Sequence, residues 1–204
     1  MDIQELHRRA IEHAVETVAR VPADRLAAPT PCLDWTVRGL LRHMISLNEG
    51  FTAAAYGGGA DLNVWRNGRI GADHRASFAE SAKKAAEAFG EDGVLDRAFD
   101  LPEVRRGEAF PGTVAIGFHL VDNIVHSWDI AAAVGLPWEP ADDLVAAALT
   151  IALRVPDLPE TRGPGLAFEP GLDVPEETPD RERLLAVLGR SPAWTPPVQA
   201  SRRH

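Results

Sequence analysis

The residues best suited to chemistry lie in one stretch near the middle of the chain, HLVDNIVHSWDIAAAVG (119–135). Its periodicity predicts a helix, and at about 100° per residue four ionisable side chains fall within a sector of roughly 80°: His119, Asp122, His126 and Asp129. Asp122 and His126 are four residues apart, so both side chains can converge on one ion, as the two histidines do in helical zinc sites.

The rest of this helix is apolar, which predicts that it is buried on most sides. Buried carboxylates and imidazoles need hydrogen-bonding partners or a metal ion. The stripe therefore has two interpretations. It is either a functional site or a polar network of Asp122, His126 and Asp129 that satisfies itself inside a bundle.

A third metal ligand is expected from another helix, and His43 lies at the edge of the apolar stripe of the second predicted helix. With Asp122 and His126 it completes a set of two histidines and one carboxylate. Three protein ligands with open positions are typical of a catalytic zinc or similar divalent ion rather than of a closed structural site.

The other two members of the stripe are assigned catalytic roles. His119 lies seven residues before His126, about 10.5 Å along the helix axis, so the two cannot easily share an ion. We expect His119 to contact substrate or move a proton, and Asp129, one turn beyond His126, to orient its ring. Three further histidines are expected to be solvated: His7, His13 and His74.

The elements that must position these residues are predicted to be helical. Apolar spacing and capping residues indicate helices at 2–20, 35–56, 73–90, 112–134 and 141–154 and a short one at 181–188, with a hairpin or irregular crossover within 93–110. The fold class is therefore all-α, a four-helix bundle with a fifth helix and a Pro/Gly-rich C-terminal arm. We expect residues 1–154 to form the bundle with the metal site, and 155–204 to pack on the same domain.

Composition excludes several function classes. The 204 residues carry 21 Lys and Arg against 30 Asp and Glu, a net charge of −9, which argues against a nucleic-acid partner or a polybasic membrane patch. One cysteine, Cys32, excludes an intrachain disulfide and a zinc site built from cysteines, and packing is its expected role. No apolar run or secretory leader is evident, so we expect a cytoplasmic protein.

Three stretches together carry a resemblance: TPCLDWTVRGLLRHM (30–44), HLVDNIVHSWDIAAAVG (119–135) and RLLAVLGRSPAW (183–194). They resemble the DinB-like helical-bundle superfamily, and more narrowly its actinobacterial branch related to the N-terminal domain of mycothiol-dependent maleylpyruvate isomerase. The likeness spans roughly residues 5–194 and is specific for the superfamily rather than for one reaction.

The resemblance implies that His43, Asp122 and His126 match the family's metal ligands and that the ion is zinc, or nickel or iron in the wider superfamily. It also implies mycothiol or a related low-molecular-weight thiol as co-substrate, with a small electrophile as its partner. The chain departs from the isomerase in carrying Asp122 in place of a glutamate and a shorter C-terminal part. Many relatives also have an acidic residue at the position of Gly39, which would complete a capping box with Thr36.

Three functions remain open at this stage. The first is a zinc-dependent enzyme that uses a thiol for S-transfer or isomerisation. The second is a metal-dependent hydrolase, since the same ligands would activate water. The third is a non-catalytic bundle that binds a metal or small ligand. Either a monomer or a homodimer is compatible with the sequence.

Overall fold

The structure, a computed structural model, describes residues 2–32, 35–159, 162–163 and 168–197. Parts of the predicted arm, including 160–161, 164–167 and 198–204, lie outside the described residues, as do the two residues just before the second predicted helix. In the described chain the helices are α1 (Ile3–Ala19), α2 (Val37–Ala55), α3 (His74–Phe89), α4 (Gly112–Val134), α5 (Asp142–Ala152) and α6 (Asp180–Val187). The predicted all-α class is confirmed.

Local sequence accounts for where the site-bearing helices begin and end. The Thr36 hydroxyl accepts a hydrogen bond from the backbone N–H of Gly39 at 3.2 Å, which satisfies one of the unpaired donors at the start of α2. α4 ends at Gly135, whose φ of +73° lies in the left-handed region that glycine enters without a Cβ clash.

α4 runs through the centre of the bundle and packs against α1, α2 and α5. Three buried clusters surround it along its length. Ile116 joins the aromatic cluster that contains Phe51 and Phe89, Leu120 and Ile124 join the cluster with α5, and Ile130 lies with α2 and α3 side chains. The ionisable residues of α4 therefore lie inside or beside an apolar core.

The segment between α3 and α4 forms the short hairpin that its weak alternation predicts. Strands β1 (Ala98–Asp100) and β2 (Ala109–Pro111) pair antiparallel, with Phe99 opposite Phe110. Phe99 is fully buried and stacks on Phe89 with ring centroids 5.4 Å apart. The hairpin thus adds to the aromatic cluster around one end of α4.

The described part of the C-terminal arm packs on the bundle. Leu184 of α6 is buried with α4 and α5 side chains. The buried Arg162 donates to the carbonyl oxygens of Pro156, Val155 and Val187, which joins two parts of the arm. The division of the chain at residue 154 into a bundle and a C-terminal arm stays a prediction. Among the described residues, no helix combines the length and apolarity needed to cross a bilayer.

Candidate functional site

α2 and α4 bring His43 and His126 edge to face, with ring centroids 5.3 Å apart. Trp35 also contacts the ring of His43, at a centroid distance of 4.5 Å. Burial, together with the nearby His126 and Arg190, lowers the pKa of His43 to about 3. His43 is therefore neutral at physiological pH, and a neutral imidazole is the form that binds metal ions.

Asp129 orients the ring of His126. Its Oδ2 accepts a hydrogen bond from His126 Nδ1 at 2.9 Å and another from Arg190 Nη2 at 3.3 Å, and all three side chains are buried. Burial alone would raise the pKa of the Asp129 carboxyl, but Arg190 and His126 together lower it, so Asp129 is an anion. Because Nδ1 of His126 donates to this anion, Nε2 is the nitrogen available to an ion.

Arg190 reaches this position because the chain turns at Gly189. Gly189 has a φ of +76°, and a Cβ there would lie 2.7 Å from the Cβ of Glu169, so only glycine fits. The guanidinium then donates to the Leu188 carbonyl at 2.8 Å and lies 5.5 Å from the Phe168 ring. Nothing in the sequence singles out Arg190, since one arginine after a short helix carries no periodic signal.

Asp122, the predicted carboxylate ligand, lies one turn before His126 on α4. Burial raises the pKa of its carboxyl, while the charges of His126 and Arg190 act in the opposite direction. The carboxyl is therefore within electrostatic reach of both groups.

The potential metal-donor atoms that lie close together are not those of the predicted ligand set. In the described part of the chain, the three metal-binding side chains with donor atoms all within 4.8 Å are Cys32, His126 and Asp129. His43, Asp122 and His126 do not form such a set, although the two histidines are in contact, so that three-ligand site stays a prediction. Packing is the role that the sequence predicts for Cys32, and the structure places its thiol 3.9 Å from Arg190 Nη2.

The residues present fit a divalent ion. Neutral imidazoles and carboxylates are the ligands that zinc and related ions prefer. Asp129 Oδ1 is buried and has no hydrogen-bond partner in the described structure. A buried carboxylate oxygen without a partner is costly, and a cation would satisfy it.

His119 lies outside this group of side chains. Its Nδ1 is 2.8 Å from Nε2 of His7, and its Nε2 is 2.9 Å from Oδ1 of Asn48. Its ring lies 4.6 Å from that of Phe51. The helical stripe predicted one site for all four residues. The rise of α4 instead separates His119 from His126 along the helix axis. α1 and α2 supply the hydrogen-bond partners of His119.

The expectation that His7 and His74 are solvated is wrong. His7 is 1% exposed and His74 is 5% exposed. His7 faces α4 and pairs with His119, while His74 Nε2 lies 3.1 Å from the Val21 carbonyl oxygen. Each ring is buried because a neighbouring segment supplies a polar partner that the pattern of a single helix does not reveal. His13 is partly buried.

Comparisons with known proteins agree with this architecture. Residues 7–131 match the family described as mycothiol maleylpyruvate isomerase N-terminal domain. Two uncharacterised proteins, from two strains of Mycobacterium tuberculosis, are each 33% identical over 196 residues, which is 94% of this chain and 99% of the relative.

Two solved structures share the fold. They are crystal structures of the mycothiol-dependent maleylpyruvate isomerase and of its histidine-to-alanine mutant, with TM-scores of 0.51 and 0.57. Each is 12% identical and aligns with 74% of this chain and 68% of the other. At that identity the likeness establishes the helical fold and nothing about the reaction.

Proposed function

This chain belongs to the mycothiol maleylpyruvate isomerase N-terminal domain family, and from that membership we propose that it is a zinc-dependent enzyme that uses a low-molecular-weight thiol. The expected reaction is S-transfer to, or isomerisation of, a small electrophile. The observation that carries the proposal is the contact between His43 and His126, with His126 oriented by Asp129. The thiol is inferred from the names of the solved relatives, which are mycothiol-dependent.

Three residues would hold the ion in this proposal: His43, Asp122 and His126. His43 and His126 are in contact, and Asp122 lies one helical turn before His126. Three protein ligands leave positions open for a thiol. Both ring nitrogens of His119 are engaged by His7 and Asn48, outside these three ligands, and its role in contacting substrate or moving a proton stays a prediction.

The ion, when bound, would lower the pKa of a coordinated thiol so that the thiolate exists near neutral pH. The protein's own residues prepare the centre for this. Asp129 keeps the His126 ring oriented, and Arg190 keeps Asp129 charged despite its burial. Trp35 contacts the His43 ring and restricts its movement. Asp129 and Arg190 are thus positioning residues.

Metal content measured by elemental mass spectrometry tests the centre directly. We expect about one equivalent of zinc per chain in the purified protein and a loss of metal affinity of more than about 100-fold in His126→Ala, because removing even an outer-sphere partner costs 10–100-fold. His13→Ala is the matched control, since His13 is a partly buried histidine on α1 whose ring contacts Trp138. No uptake of zinc by the unmodified protein would contradict the proposal.

A second assay separates the three functions that the sequence left open. Consumption of a small electrophile, with maleylpyruvate as the first compound, is measured with and without added mycothiol. Consumption only with the thiol is the expected result. Consumption without it would establish a hydrolase instead, and metal binding without any consumption would establish a non-catalytic bundle.

A further inference from the structure

A second donor set shares His126 with the ligands proposed above. Cys32 Sγ, a ring nitrogen of His126 and a carboxylate oxygen of Asp129 all lie within 4.8 Å of one another. We propose that these three side chains bind a thiophilic divalent ion, such as Zn²⁺, Co²⁺ or Cd²⁺, with Cys32 as a thiolate ligand. This inference deepens the proposed function and rests on it only for a metal ion at His126.

The unpartnered oxygen of Asp129 is the observation that points to a cation. Asp129 is 0% exposed, and its Oδ2 already accepts from His126 and Arg190. Its Oδ1 has no partner in the described structure. A buried acceptor without a partner costs about 1–3 kcal/mol, and more when it is charged. A metal ion at Oδ1 would remove that cost.

The charges around Cys32 favour a cation. Burial raises the pKa of the Cys32 thiol to about 11, so a bound ion must displace its proton. Among the described residues, three carboxylates act on the thiol, from Asp129, Glu169 and Asp122, against one guanidinium, Arg190. Three negative charges and one positive charge leave a net charge of −2 while the thiol is protonated. A divalent ion is therefore attracted to this position even though Arg190 is close.

The geometry needs only local movement. Tetrahedral zinc, with a Zn–S distance of about 2.3 Å and Zn–N and Zn–O distances of about 2.0–2.2 Å, holds its donor atoms roughly 3.3–3.6 Å apart. The present donors lie within 4.8 Å, so shifts of about 1 Å in side chains suffice. Arg190 keeps its hydrogen bond to Oδ2 of Asp129 while Oδ1 takes the ion.

Two hydrogen bonds hold the backbone carbonyl of Cys32 in place. The carbonyl oxygen of Cys32 accepts from Thr30 Oγ1 at 2.9 Å and from the backbone N–H of Trp35 at 3.2 Å. Metal binding converts the Cys32 thiol and M²⁺ into a metal thiolate and releases one proton to solvent. No oxidant or further reactant is needed.

Cobalt titration of the metal-free full-length chain tests the proposal, because a thiolate bound to Co²⁺ absorbs in the near ultraviolet. We expect this sulfur-to-cobalt band in the unmodified chain and its loss in Cys32→Ser, which removes sulfur at nearly constant size. His126→Ala removes the ligand that both donor sets share. It should also lose the band, and a band that persists there would overturn the set as stated.

The outcomes separate this proposal from the proposed function. Visible cobalt bands without the sulfur band would overturn the role of Cys32 and leave the centre at His126 intact. No cobalt binding would overturn both. As an independent readout, one equivalent of Cd²⁺ should slow alkylation of Cys32 by iodoacetamide at least tenfold, and an unchanged rate would contradict the proposal. Thermal melts of Cys32→Ser and Cys32→Ala check that both variants fold.

Discussion

α4 carries two buried histidines in opposite settings. His119 lies toward its N-terminal end, here the His119 end, and His126 lies toward its C-terminal end, here the His126 end. At the His119 end, His119 is 1% exposed and both ring nitrogens have partners, His7 and Asn48. At the His126 end, His126 contacts His43, and neighbouring buried atoms of Asp129 and Arg190 have no hydrogen-bond partner among the residues that the structure describes.

The difference shows how a polar group in a helical core becomes structural or functional. The network at the His119 end runs in one direction: Asn48 Nδ2 donates to Ser81 Oγ, which donates to the Phe78 carbonyl. If His119 Nε2 donates to Asn48 Oδ1, then His119 Nδ1 accepts from His7, and every group on the path is paired. A fully paired network stabilises one arrangement of helices. The atoms of Asp129 and Arg190 beside His126 that have no partner in the described structure are instead available to a ligand.

The largest expected effect is at the His126 end. Arg190→Ala removes the cation that pairs with Asp129, where the two side chains are 5% and 0% exposed. It should lower the free energy of unfolding by about 3–5 kcal/mol, because it leaves a buried charge uncompensated. Urea denaturation measures this, and Asp129→Asn in the same chain should recover part of the loss. A loss below about 1 kcal/mol would mean that water reaches Asp129.

The His119 end should respond in stability without a change in metal binding. His119→Phe keeps a ring of similar size but leaves His7 Nε2 and Asn48 Oδ1 unpaired. We expect a loss of roughly 2–4 kcal/mol in unfolding free energy, since each unpaired buried group costs about 1–3 kcal/mol. Zinc content should stay at the unmodified level. Loss of zinc at unchanged stability would reverse the assignment of the two ends.

Acid should act on the His119 end through both rings. Burial lowers the pKa of His119 to about 3 and that of His7 well below its ordinary value. Both rings are neutral when folded and take a proton when unfolded below pH 6.5. Their contribution is therefore constant above that pH and falls below it, by roughly 1.4 kcal/mol per unit for each ring until that ring takes up a proton in the folded protein.

Denaturation curves of the apo chain at pH 7, 6 and 5 measure this slope. Replacing His7 with glutamine removes one of the two titrating rings, so the part of the slope that comes from the pair should halve. An unchanged slope in His7→Gln would assign the acid sensitivity to other groups.

The smallest expected effect lies outside both ends. Gly39→Glu places a carboxylate three residues after Thr36, where it completes a capping box at the start of α2. A Cβ at Gly39 meets Thr36 Oγ1 at 3.7 Å, an ordinary contact. We expect a gain of about 0.5–1 kcal/mol from capping and helix propensity, measured by thermal melting. Metal binding and the pH dependence of stability should not change. This variant is therefore a control for the effects expected at the His126 end and at the His119 end.

Much of the fold was predictable because its signals are local. The apolar period, Thr36, Gly135 and the hairpin punctuation all act over a few residues, and the helices lie close to their predicted bounds. The hydrogen bond between Asp129 and His126 spans three positions of one helix. The contact between His43 and His126 joins two helices that the sequence analysis had paired only by residue type.

The sequence by itself determined the helices, their apolar faces and the stripe of ionisable residues on α4, since these depend on spacing along one chain segment. Only the tertiary structure decided that His119 pairs with His7, and that Arg190 and Cys32 approach Asp129 from the C-terminal arm and the loop before α2. Those contacts join residues 61 to 158 positions apart. Which side chains meet across such separations depends on how the helices pack around α4, and no local pattern encodes that.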